Sequence, residues 1–272
     1  MHLKPSNRFL RMLHSDIHRK SEPRENVPAM VFAPHPDDEV LGCGGTIILK
    51  RNKETLVSIV FMTDGRTSHQ RFVNSDELCR IRREEALDAG SALGVEEQNL
   101  HFLDFPDGEL DHHHVHAVTR VMSLLSSEPV GEVFVPYQWD GTPDHEATYR
   151  IVQEAVRRLN LKGRFFEYPV WMWNQWPWVS LELRPNRNLL RDLKALFHAG
   201  FGLRARNKLR SGVFVGEVLS QKREALSRHR SQTTELQPGV GWPTLSDVSN
   251  GEFLNCFFQE YELFCCRDSS TL

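Results

Sequence analysis

Along this chain, short apolar runs alternate with longer stretches in which apolar residues return every three or four positions. Met30 to Ala33, Leu56 to Met62, Leu100 to Leu103, Glu132 to Val135 and Arg164 to Tyr168 read as strands. Glu39 to Arg51, Asp76 to Leu93, Val115 to Leu125 and Glu146 to Leu159 read as helices, and Gly94 supplies the C-terminal stop of the second. Strand and helix in alternation predict an α/β fold, a parallel sheet flanked by helices, with no internal repeat. In such a sheet the carboxyl ends of the strands open onto one crevice, and a site is expected there.

Two loops at predicted strand ends carry the chemistry. Pro34-His35-Pro36-Asp37-Asp38-Glu39 follows the first strand, and its prolines fix φ and discourage the preceding residues from turning helical. Imidazole and carboxylate donors suit a catalytic zinc or another borderline divalent cation, with one position left to water. His35 and Asp38 are placed to supply two ligands, which leaves Asp37 to take a proton from that water. The same acids also suit the first turn of the helix that begins near Glu39, as caps. Trp139-Asp140-Gly141-Thr142-Pro143-Asp144-His145-Glu146-Ala147-Thr148 follows the run Val133-Phe134-Val135. Convergence of the two loops in one crevice makes His145 the third ligand.

Further segments occur in a matching order: Thr63-Asp64-Gly65, Arg82 with Glu85-Ala86, Leu93-Gly94-Val95, Phe105-Pro106-Asp107-Gly108, and Lys222 with Ala225, His229 and Ser231-Gln232. Together with the two loops they resemble the PIG-L/LmbE-like family of metal-dependent de-N-acetylases. The resemblance implies a Rossmann-like catalytic domain at 28–235. It implies removal of acetyl from an N-acetylated amino sugar or its conjugate, releasing acetate and a free amine. It also implies His35, Asp38 and His145 as ligands of one divalent ion, zinc or alternatively iron(II), with Asp37 as general base. Arg82, Asp107 and His229 would then face the substrate. Many members carry a histidine before Pro-Asp-His where this chain has Thr142, whose hydroxyl donates a hydrogen bond but cannot carry a positive charge. Protonation of the leaving amine then falls to Asp144, to His229, or to Asp37 returning the proton it took, so Thr142 and Asp144 join Asp37 as catalytic candidates. Two other classes fit parts of the pattern. One is a metal-dependent glycosyltransferase, against which stand the histidine ligands and the lack of a nucleotide signature; the other is a non-catalytic carbohydrate-binding relative.

Composition narrows the picture further. A length of 272 residues suits one large α/β domain, with a polar extension at 1–27 and a C-terminal extension at 236–272 packed on the same domain. A formal charge of −3 gives no sign of nucleic-acid binding. Five cysteines without a C-x-x-C pair indicate neither a disulfide framework nor a structural zinc site, so a reducing cytoplasm is expected. No stretch reaches the roughly 18–20 apolar residues of a membrane span. The expected partner is an N-acetylated sugar, free or linked to a lipid or nucleotide. Arg184 to Arg210 is basic, with Leu189, Leu193, Leu196 and Phe197 at helical spacing. It predicts a cationic amphipathic helix, docked on the core or touching anionic lipid or a diphosphate.

Three other features weigh toward structure. Gly42-Cys43-Gly44-Gly45 lacks dinucleotide-loop spacing and suits close helix packing. His112-His113-His114 with His116 has no acidic partner loop and reads as a solvated helix start. Pro169 to Trp178 holds four tryptophans, which suit either the core or a platform for the apolar face of a sugar.

Overall fold

The computed structural model describes residues 22–175, 178–179 and 208–272. The N-terminal patch Phe9 to Leu13, Trp176 and the basic segment up to Asn207 lie outside the described residues. Five parallel strands form the centre: β1 (Ala29–Ala33), β2 (Val57–Thr63), β3 (Leu100–Phe105), β4 (Glu132–Pro136) and β5 (Arg164–Tyr168). Between them run helices α1 (Asp38–Arg51), α2 (Ser75–Ala92), α3 (His114–Ser127) and α4 (Pro143–Arg158), and α5 (Leu219–Arg228) follows later. β1, β2 and β4 are buried along their whole length, as strands covered on both faces must be. One apolar cluster joins the sheet to α1, α2 and α5, and a second joins it to α3 and α4.

With β6 at Ser211–Phe214 and β7 at Tyr261–Asp268, the strand order is β3-β2-β1-β4-β5-β7-β6. Val31 pairs with Ile59 of β2 on one side and with Phe134 of β4 on the other. From β1 the chain proceeds to β2 and β3 on one side, then crosses to β4 and β5 on the other, so the order reverses between β1 and β4. Loops leaving the carboxyl ends of two strands at such a switch diverge and leave a crevice.

The expected core elements are present, most shifted at their ends by a few residues. The largest shift is at α4, which begins at Pro143, a residue whose fixed φ and missing N–H suit a first helical position. No strand was expected after Tyr168, yet β6 (Ser211–Phe214) and β7 (Tyr261–Asp268) extend the sheet, β7 running antiparallel to both neighbours. The pattern of β7 is hard to read because it buries a glutamate. Glu262 pairs with Lys222 Nζ at 2.7 Å and accepts from the backbone N–H of Gly45 and Thr46 at 2.7 and 2.8 Å. The glycines of α1 permit the close approach expected of them. A Cβ at Gly42 would stand 2.2 Å from the ring of Tyr168, whose hydroxyl donates to Phe32 O at 2.6 Å.

Candidate metal and catalytic site

The loop after β1 makes a sharp turn into α1. Asp37 takes φ +132° there, a conformation that costs a non-glycine residue about 1–3 kcal/mol unless its neighbours impose it. They do so through Glu39. Its Oε2 accepts from Asp37 N at 2.9 Å, and its Oε1 lies 2.7 Å from His229 Nε2, with Glu39 and His229 both wholly buried.

Asp38 Oδ2 stands 3.2 Å from His35 Nδ1 and 3.2 Å from His145 Nε2. One donor atom from each of these residues lies within 4.8 Å of the others. A second grouping, His35 with Asp107 and Asp144, meets the same limit through the opposite ring nitrogen. His35 Nε2 is 3.2 Å from Asp107 Oδ1 and 3.4 Å from Asp144 Oδ2.

The chemistry of the donors favours the first grouping. Asp144 is already committed, accepting from Gly108 N at 2.7 Å and Leu110 N at 3.2 Å. Asp107 Oδ2 accepts from Thr67 N at 3.0 Å and from its hydroxyl at 2.7 Å. Asp107 and Asp144 flank His35 at Nε2 and Asp38 flanks it at Nδ1, so carboxylates line both edges of the ring. His145 is flanked in the mirror sense: Nδ1 lies 2.8 Å from Asp140 Oδ2 and Nε2 lies 3.2 Å from Asp38 Oδ2. Outer carboxylates that set the tautomer of a ligating histidine are the usual support of a metal site. Two imidazoles and one carboxylate thus fit a divalent cation.

Electrostatics separate the neighbouring aspartates. Burial pushes the Asp37 carboxyl up to about 7, against the pull of Arg82 and with help from Asp38. Burial acts on Asp38 in the same direction, but His145 and His35 outweigh it and hold that carboxyl far below its usual range. Burial would lower His145, yet Asp38 and Asp140 raise it to about 9. One acid is therefore kept as an anion while the next is poised to exchange a proton near neutrality.

Arg82, from α2, lies 3.4 Å from Asp37 Oδ2 and also donates to the carbonyls of Pro36 and Gly65. Thr142 caps α4 without using its side chain, and its buried hydroxyl has no hydrogen-bond partner. These groups line a cavity of about 380 Å³ together with His35, Asp37, Asp38, Asp107 and Asp144. His229, expected to face the substrate, instead stands behind Glu39 and does not line this cavity. The histidine run at 112–116 lies elsewhere, His114 pairing with Glu154 at 2.7 Å.

Residues 30–156 match the family model PIG-L: GlcNAc-PI de-N-acetylase. The match to the PIG-L family covers less than half of this chain. It is 31% identical over 141 residues to the "Probable N-acetyl-alpha-D-glucosaminyl L-malate deacetylase 2" of Bacillus cereus, covering 50% of this chain and 63% of that protein. It is 32% identical over 143 residues to the diacetylchitobiose deacetylase of Thermococcus kodakarensis, covering 50% and 52%. The match thus spans less than two thirds of either relative. The N,N'-diacetylchitobiose deacetylase from Pyrococcus horikoshii shares the fold, with a TM-score of 0.63 at 20% identity over 97% of this chain and 93% of that one.

The PIG-L segment contains His35, Asp37, Asp38, Arg82, Asp107, Thr142, Asp144 and His145, whereas much of the cavity wall comes from beyond it. Val170, Trp171, Gln232, Leu245 and Val248 line the cavity. Of the tryptophan-rich stretch, Trp173 and Trp178 are buried and pack edge to face at 5.0 Å, while Trp171 reaches the cavity. Sequence reasoning assigned no role to Asp140 and took Glu39 only for a helix cap. A signal existed for each, an acid a few residues from a ligand or base, but their partners are far away in sequence.

Proposed function

We propose that this chain is a PIG-L-type, metal-dependent N-deacetylase acting on an N-acetylated amino sugar or its conjugate. The observation that carries the reading is the grouping of half-buried His35 with buried Asp38 and His145, with Asp37 beside it in an open cavity. The donor set suits zinc, with iron(II) as the alternative. A divalent cation held there supplies Lewis acidity toward an acetamide carbonyl and toward a water.

The chain's own residues supply the proton movements. Asp37 accepts the water proton on its carboxylate, and Arg82 Nη2, 3.4 Å from Asp37 Oδ2, keeps that carboxylate directed at the cavity. Thr142 offers a hydroxyl with no competing partner to the substrate. Asp37 then returns its proton to the amine nitrogen as acetate leaves. His229 is sealed behind Glu39 and Asp144 is occupied by two backbone N–H groups, which supports Asp37 as the donor over either. Asp107 and Asp144 orient His35. Among the described residues no helix is long and apolar enough to cross a membrane.

Acetate release from N-acetylglucosamine and from its lipid, nucleotide and oligosaccharide conjugates, measured after loading with Zn2+ or Fe2+, tests the reading. Metal-stimulated release from at least one is expected. Sugar binding without release from any, at any pH, overturns catalysis in favour of a carbohydrate-binding relative.

A further inference from the structure

Asp140 is wholly buried and accepts from three backbone N–H groups. Its Oδ2 faces His145 Nδ1 at 2.8 Å and also accepts from Trp171 N at 2.9 Å. Its Oδ1 accepts from Val170 N at 2.9 Å and from Met172 N at 3.0 Å. Those three N–H groups open the short 3₁₀ turn Trp171–Asn174, and a carboxylate at such a terminus gathers donors that the helix itself leaves free. The turn carries Trp171 into the cavity wall, where its ring stacks on Phe253 at 5.1 Å and 18°. Ser249 Oγ donates to Asn174 Oδ1 at 2.7 Å and ties down the far end.

We infer that Asp140 is a positioning residue that sets the metal-binding imidazole of His145 and the aromatic wall at Trp171 together. Trp171 receives the apolar face of the sugar ring. This rests on the deacetylase reading above, which makes the occupant an N-acetylated pyranose. An indole face suits the C–H face of a pyranose, and one carboxylate holding both groups keeps the ring in register with the metal.

The test uses the full chain and two titrations, Zn2+ alone and then N-acetylglucosamine at saturating Zn2+. Asp140→Asn should raise the Zn2+ Kd about 10–100-fold, the usual cost of losing an outer partner of a ligand. Trp171→Ala should raise the sugar Kd about tenfold, on the order expected for one aromatic contact, and leave the Zn2+ Kd within about twofold. The double variant should bind sugar no more weakly than Trp171→Ala alone, because Asp140 acts on the sugar through that ring. Should Asp140→Asn fail to fold, Asp140→Glu keeps the charge, displaces it by one methylene and carries the same comparison. A Zn2+ Kd unchanged in the Asp140 variant, losses of sugar affinity that multiply in the double variant, or wild type that binds no sugar each overturn the inference. A purely structural Asp140 would lower Tm and move neither constant. Failure of the deacetylase reading shows separately, as wild type that binds the sugar yet releases no acetate.

Discussion

The two loops that meet at the β1/β4 switch point are built on opposite principles. After β1 the backbone is distorted, with Asp37 at φ +132° and a buried Glu39–His229 pair imposing that shape. After β4 the backbone is relaxed: Thr142 is extended, Pro143 opens α4, and His145 rides on the first turn of a regular helix. A ligand on a helix needs only one acceptor behind it, and Asp140 provides it. A proton-accepting group that must reach past its own ligand neighbour needs an unusual backbone, and hence a scaffold to hold it. The base side of the site is therefore the more fragile.

The sharpest break of this comparison is at Asp37. Asp37→Asn should lower kcat roughly 10²–10⁴-fold, the range for a general base, while the Zn2+ Kd stays put; steady-state rates alongside calorimetry decide, and full turnover would remove Asp37 from its role. On the ligand side, His145→Ala should weaken Zn2+ binding by more than the roughly 10–100-fold cost of an outer partner. Unchanged affinity would instead place the metal with His35, Asp107 and Asp144. Glu39→Gln keeps an acceptor for Asp37 N but breaks the charged pairing with His229. Loss of a charge-assisted hydrogen bond on that scale should lower kcat about tenfold, with the KM and the Zn2+ Kd unmoved; a change in KM alone would show that Glu39 does not hold the base.

A pH measurement sharpens the same contrast. Burial holds the Asp37 carboxyl at about 7 in the folded chain, against about 4 for an exposed aspartate. The folded state keeps a proton there that the unfolded state releases, so stability falls as pH rises from about 4 to 7. In metal-free protein Asp37→Asn should thus melt a few degrees above wild type at pH 8 and level with it near pH 4. The reverse trend in thermal scans would contradict the shift. The smallest effect belongs to the relaxed loop: Thr142→Val should raise KM only a few-fold, the net value of one neutral hydrogen bond, and Thr142→Ser should restore it.

Much of this was legible in the chain itself. Apolar runs of strand length separated by helical periodicity lead to the five central parallel strands, because each such element is specified by residues close in sequence. The convergence of His35, Asp38 and His145 was legible too, since both loops leave strand ends that a parallel sheet brings to one edge. Arg82 could be tied to the same pocket only through the family resemblance.

What the tertiary structure alone decided is carried by contacts between distant residues. Glu39 meets His229 across 190 positions, and Glu262 reaches Gly45 across 217. A buried carboxylate looks like any surface acid until its partner is known, so neither the scaffold beneath Asp37 nor the insertion of β7 into the sheet left a local trace. Asp140 illustrates the division most clearly. Its place beside the ligand loop is plain in the sequence, but its hold on the 170–172 backbone exists only because β4 and β5 are neighbours. Local chemistry named the groups proposed to bind a metal and accept a proton; the packing of remote segments determined what keeps them in place.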